Sequence, residues 1–195
     1  MSFVRFAVTL LIPVWLAAAS AAAAAAPSLK AGAFEPPRQA PDFVLRGSDG
    51  SDLTLGRYRG KVVLLSFGFT QCPAVCPTTL ATLAQARSAL GSAADRVQVV
   101  FVTVDPERDS PAQLKSYLAA FDAGFVGGTG KPEVLAAMRR NYGVVAEKVP
   151  VGDSYAVDHT SSIFLIDREG RLSALMPYGR DAKDFVHDVK LLLAK

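Results

Sequence analysis

The chain of 195 residues has no strong excess of charge of either sign: Lys and Arg number 21 against 18 Asp and Glu. That balance supplies no clustered basic face, and so no electrostatic basis for binding nucleic acid. No cysteine precedes residue 72, which excludes lipid attachment through an N-terminal cysteine. No fixed-period repeat occurs, which excludes a solenoid. No long polar or low-complexity tract follows residue 41, which excludes extended disorder there. The length supports one domain with a substantial core and is short for two ordinary ones. Half of the residues are hydrophobic, but nine alanines between Ala17 and Ala26 inflate that figure. The composition thus describes a compact soluble domain behind an unusual N-terminus, and the chain is expected to be a monomer.

Arg5 is followed by Phe6 to Ala26, a stretch of 21 residues interrupted only by Thr9, Pro13 and Ser20. Phe6 to Leu16 fits the apolar core of a secretory signal, and the alanine run offers many small-x-small cleavage points. The same stretch is long enough to cross a bilayer, although alanine contributes little to insertion. Residues 1–26 therefore read as a signal peptide or an N-terminal membrane anchor. Either one places the domain outside the cytoplasm, where disulfides are permitted. Pro27, Pro36, Pro37 and Pro41 disfavour a helix and mark residues 27–41 as an extended, Pro-rich tether. The folded domain is expected over residues 42–195.

Within it, Phe43–Leu45 and Asp52–Leu55 flank Gly47-Ser48-Asp49-Gly50, a hairpin with turn chemistry in its loop. Lys61–Phe67 and Val97–Val104 are continuous apolar runs, suited to strands buried on both faces. Between them Thr78–Leu90 has helical periodicity and ends at Gly91. Strand, helix, strand is a βαβ unit, with parallel pairing and a right-handed crossover. Ser110-Pro111-Ala112-Gln113 forms a capping box for a second helix, and a third runs from Pro132 to Gly143. Ile163–Ile166 and Leu172–Met176 flank Asp167-Arg168-Glu169-Gly170 as a second hairpin. A last amphipathic helix spans about Asp181 to Leu193, with Phe185, Val186, Val189 and Leu192 inward. This is the order of an α/β, thioredoxin-like fold with an N-terminal β-hairpin and an insertion before its second half.

The only two cysteines, Cys72 and Cys76, are four residues apart, and each is followed by a proline. Proline is welcome at the first position of a helix, so Pro77 is expected to start the regular helix, with Cys76 near its N-cap. Thiols there meet free backbone N–H groups and the positive end of the helix dipole, which favour thiolate. Two thiolates on one loop can close a disulfide or clasp a soft metal ion. His159 precedes the Ile163 strand, on the segment that faces the cysteine loop in thioredoxin-like folds. His187 falls with Asp184, Asp188 and Leu191, away from the main apolar face of the last helix, and reads as solvated. Asp105-Pro106-Glu107-Arg108-Asp109 follows the end of a strand, on the edge where α/β sites usually form, and reads as a turn feeding the Ser110 cap in preference to a site. Gly127-Gly128-Thr129-Gly130-Lys131 is not a phosphate loop: Phe125 stands at its first glycine and Pro132 at its Ser or Thr.

Four motifs in order, KVVLLSFGFTQCPAVCPTTL, VTVDPERDSPAQLKSYL, FVGGTGKPEV and VDHTSSIFLIDREG, resemble those of the Sco/SenC family over residues 36–195. The resemblance implies a thioredoxin-like metallochaperone that helps assemble cytochrome c oxidase. It implies a copper ion, Cu(I) or Cu(II), held by Cys72, Cys76 and His159. It also implies a partner in oxidase subunit II, a periplasmic copper donor, and a place on the periplasmic side of the inner membrane. The alternative is a thiol-disulfide oxidoreductase whose redox pair is Cys72 and Cys76, keeping the subunit II cysteines reduced. One departure is Ala74, where many members carry an acidic residue. Asp158 matches the family's acidic neighbour of the histidine and is given no ligand role.

Overall fold

The computed structural model describes residues 28–194, so the expected signal or anchor over residues 1–26 lies outside the described residues. Among the described residues, no helix is long and apolar enough to cross a membrane.

The most apolar strands form the centre. β4 (Val62–Gly68) and β5 (Val97–Thr103) are buried along their whole lengths and pair in parallel. A parallel pair needs a crossover, and α1 (Val75–Ala89) supplies it while burying Leu80, Leu83 and Ala86. β9 (Ile163–Ile166) lies antiparallel on the other side of β4 and forms the expected hairpin with β10 (Arg171–Met176). β2 (Val44–Gly47) and β3 (Asp52–Thr54) form the N-terminal hairpin.

The helix signals also take effect. α2 (Pro111–Ala119) and α3 (Pro132–Tyr142) both begin at proline. The Ser110 hydroxyl accepts the Gln113 N–H at 3.2 Å, and Gly143 closes α3 at φ 70°, a conformation that glycine adopts without steric cost. α4 (Ala182–Ala194) packs on α1 and buries Phe185, Val189 and Leu192.

Three segments depart from expectation. Part of the expected tether is β1 (Gly32–Gln39), an edge strand paired antiparallel with β10. Its prolines keep the chain extended, but the ladder forms on either side of them. The register shifts between Ala33 and Arg38, where Pro36 and Pro37 have no N–H to give. Ala31 and Ala40 are buried, so the domain begins about ten residues earlier than residue 42. The strand is pinned by Asp188, fully buried on α4, whose two carboxylate oxygens accept the N–H groups of Lys30 (2.7 Å) and Ala31 (2.8 Å). The polar face assigned to Asp188 is thus wrong: a buried carboxylate is tolerated there because chain amides satisfy it. His187 remains partly exposed beside it, with Nδ1 2.9 Å from Asp188.

The glycine-rich segment rejected as a phosphate loop is β6 (Val126–Thr129), parallel to β5 and antiparallel to β2. Its glycines serve close packing: a Cβ on Gly127 would lie 2.8 Å from Leu114 Cβ, and one on Gly128 2.6 Å from Leu53 Cδ2. Finally, β7 (Ala146–Val151) and β8 (Ser154–His159) form a separate two-stranded ribbon. The main sheet has the order β1-β10-β9-β4-β5-β6-β2-β3. The central βαβ unit of the thioredoxin-like fold is therefore flanked by the N-terminal hairpin at one edge and β1 at the other.

Candidate metal centre

The connection from β4 to α1 carries both cysteines. α1 starts two residues earlier than the proline suggested: Ala74 is the N-cap, Cys76 lies inside the first turn, and Cys72 stays in the loop. Pro77 is tolerated as the third helical residue because the N–H it lacks has no partner within the helix. The loop is tightened by its own backbone. Cys72 N–H donates to the Phe69 carbonyl at 3.2 Å, and Cys76 N–H donates to Cys72 Sγ at 3.4 Å. At the end of β4, a Cβ on Gly68 would lie 2.7 Å from Cys76 Sγ and 2.6 Å from Phe101 Cε2. Bare backbone gives the thiol its room.

The two thiols differ, although both were expected to favour thiolate. Burial works against the Cys72 thiolate, but the N–H groups of Cys76, Ala74 and Val75, with the Cys76 thiol, outweigh it. They hold Cys72 below the usual thiol range. Cys76 is only 3% exposed, and burial pushes its thiol far up; the Phe69 N–H does not compensate. An uncompensated Cys76 thiolate is costly, whereas a cation bound beside it would reverse that cost. Both thiols are free.

His159, the last residue of β8, comes from the other side. Its Nε2 lies 3.6 Å from Cys76 Sγ, and its Nδ1 lies 2.9 Å from the Thr160 carbonyl. A carbonyl only accepts, so Nδ1 carries a proton, and Nε2 is the ring nitrogen left facing Cys76 Sγ. The ring of Phe69 meets the imidazole edge-on, with centroids 6.0 Å apart. Cys72 Sγ, Cys76 Sγ and one ring nitrogen of His159 all lie within 4.8 Å of one another. A cleft of about 270 Å³ opens beside them, between Pro73–Val75 and Ala156–Asp158. Two sulfurs and one imidazole form a soft donor set for copper in either oxidation state. A structural zinc site would ordinarily add a fourth protein ligand, and none joins this group among the described residues. His187 is not part of the group and faces Asp188 instead.

One supporting residue escaped the sequence reading. Asp109, 1% exposed, accepts hydrogen bonds from Thr70 Oγ1 (2.6 Å), Thr70 N–H (3.1 Å) and Thr103 Oγ1 (2.7 Å). It braces the loop two residues before Cys72. The available signal was its position at the carboxyl end of a parallel strand, the edge where α/β sites form.

The SCO1/SenC family model matches residues 32–194. The mouse mitochondrial protein SCO2 homolog is 36% identical over 157 residues, which is 78% of this chain and 62% of the mouse protein. The chain therefore spans less than two thirds of that relative. The structure of Bradyrhizobium japonicum ScoI with copper bound is 39% identical with a TM-score of 0.74, covering 79% of this chain and 99% of that one. BsSco is described with a disulfide switch, as a member of the Sco family of cytochrome c oxidase assembly proteins. It is 25% identical with a TM-score of 0.66, covering 81% of this chain and 95% of that one. The family match runs from the first residue of β1 to the last of α4, and so takes in the whole fold on which the cysteines and the histidine meet. By that match, the chain belongs to the SCO1/SenC family.

Proposed function

We propose that this protein is a copper metallochaperone. It holds Cu(I) or Cu(II) through Cys72, Cys76 and His159 and passes the ion to the dinuclear copper site of cytochrome c oxidase subunit II. The observation that carries this reading is the convergence of two sulfurs and an imidazole nitrogen within 4.8 Å at the wall of an open cleft. Two thiolates satisfy Cu(I), and the imidazole adds the harder donor that Cu(II) favours. Few ligands beside an open cleft suit an ion that must be given up. In this reading a periplasmic donor loads the site, and the domain works on the periplasmic side of the inner membrane, delivered by residues 1–26. Anaerobic copper titration of the reduced domain, wild type beside His159→Ala, tests the ligand set. Oxidase copper content in cells whose target cysteines are already reduced tests delivery.

The inequality of the thiols favours a second reading, a thiol-disulfide oxidoreductase. The Cys72 thiolate would attack a target disulfide and displace one target thiolate. Cys76, losing its proton, would then attack Cys72 Sγ and release the other. The target gains two electrons and this pair becomes a disulfide. Such exchange needs no imidazole, so His159→Ala separates the readings. Copper delivery fails in that variant, and reduction continues.

A further inference from the structure

The proposed site is assembled from two parts that the main sheet does not join. The cysteines lie on the β4–α1 connection, and His159 ends the separate β7–β8 ribbon. A two-stranded ribbon is marginal on its own, so something must hold this one in place. Leave aside the Cys76–His159 approach and the adjacent Thr160 carbonyl. Among the described residues, the other hydrogen bonds and ion pairs from residues 146–159 to the rest of the protein all run to Asp105, Glu107 and Arg108. These belong to the segment that the sequence reads as a turn in preference to a site.

Arg108 spans the gap. Its Nε pairs with Asp105, while its Nη1 donates to Gln71 Oε1 (3.0 Å), next to Cys72, and to the Tyr155 carbonyl of β8 (3.0 Å). The guanidinium lies 3.9 Å from the Tyr155 ring centroid and 5.7 Å from that of Phe69, the ring that meets His159. The Tyr155 hydroxyl closes the circuit by donating to Asp105 Oδ1 at 2.9 Å. Lys148–Glu107 is exposed and contributes little. The Arg108–Asp105 pair is different, because Asp105 is fully buried and loses its countercharge if Arg108 is removed. Only a planar fork can pair, donate to two carbonyl-type oxygens and stack at once; an ammonium cannot.

On the reading that His159 is a copper ligand, we propose that Arg108 is a positioning residue for it. Arg108 clasps the histidine ribbon to the cysteine loop and so sets the reach of Nε2 to the two sulfurs.

The test compares Arg108→Gln and Arg108→Lys with wild type, first without metal. In the reduced apo protein, Arg108→Gln should speed hydrogen exchange of the 146–159 amides several-fold while β4 and β5 amides keep their protection, with Arg108→Lys intermediate. With copper, Arg108→Gln should weaken Cu(II) by about ten- to a hundredfold, as loss of an outer-shell partner does, and leave Cu(I) nearly unchanged. The thiolate-to-Cu(II) absorption should move toward that of His159→Ala. Adding Arg108→Gln to His159→Ala should weaken Cu(II) no further. If Arg108→Gln does not fold, Tyr155→Ala opens the same clasp from the ribbon side and is read the same way. Unchanged exchange in the ribbon overturns the proposal, as does equal acceleration in β4 and β5 or full additivity of the double variant. Wild-type Cu(II) affinity in His159→Ala would instead sink the copper reading of the histidine, and the exchange experiment would still decide the clasp.

Discussion

The cysteine side and the histidine side of the centre are held by opposite means. Cys76 sits in the first turn of α1 against bare backbone at Gly68 and the ring of Phe101, and the loop before it is bonded to buried Asp109. These contacts belong to the core, and moving the Cys76 thiol means moving β4 or β5. His159 rides on a ribbon whose side chains are mostly exposed: Val157 alone is buried in the core, and most of the polar links to the body run to one turn. The thiolate half is therefore fixed mainly by packing, and the imidazole half by one buried valine and a few polar contacts. A centre built this way can keep its sulfurs still while its third donor adjusts, which is what an ion with two oxidation states demands of its ligands.

The comparison breaks most sharply at the cysteines. Cys72→Ser or Cys76→Ser should abolish tight binding of copper in both oxidation states, measured by titration against a competing chelator; tight Cu(I) retention by either variant would show that the thiols do not act as a pair. Next in size is His159→Ala, expected to weaken Cu(II) far more than Cu(I), with His187→Ala changing neither. Equal loss in both oxidation states would mean that the histidine supports the fold.

Asp109→Ala probes the rigidity of the cysteine side. It strands the buried Thr103 hydroxyl and the Thr70 amide, and should cost about 1–3 kcal/mol in denaturant unfolding. An unchanged midpoint would show that the loop is not braced from below. The smallest effect distinguishes the two thiols. Cys72 lies below the usual thiol range, so at any given pH its thiolate fraction exceeds that of a free cysteine. Its alkylation by iodoacetamide should therefore level off at lower pH than that of a model thiol. Cys76, shifted the other way and buried, should stay unmodified across the same range. Peptide mapping of the alkylated protein reads both, and faster labelling of Cys76 would reverse the assignment.

Legibility in the sequence followed where each segment keeps its information. KVVLLSF and VQVVFVTV announce buried parallel strands by composition alone, and Ser110, Pro132 and Gly143 carry their capping chemistry locally. The cysteine pair was visible by spacing, and His159 by its place before an apolar strand together with the family resemblance. What stayed hidden depends on partners distant in sequence. β1 is a proline-bearing strand because β10 lies beside it, and β6 is glycine-rich because Leu114 and Leu53 press on it. The ribbon is mostly exposed and buries only Val157, so it gives little apolar signal. Asp188 and Arg108 look like ordinary surface charges until the amides of Lys30 and Ala31, or the carbonyl of Tyr155, are placed against them.

The Asp188 carboxylate has a mechanical consequence. By gripping the amides of Lys30 and Ala31, it fixes the point at which residues 1–27 join the fold, at the start of the edge strand β1. In the sheet, β10 and β9 stand between that strand and β4, which leads to the cysteines. A load on Lys30 and Ala31 is met first by Asp188 and then in shear by the β1–β10 ladder, two strands short of β4. Asp188 itself stands on α4, however, and α4 packs on the helix that carries Cys76, so the sheet shields the thiols from a load at Lys30 and Ala31 while the helix layer shares in it.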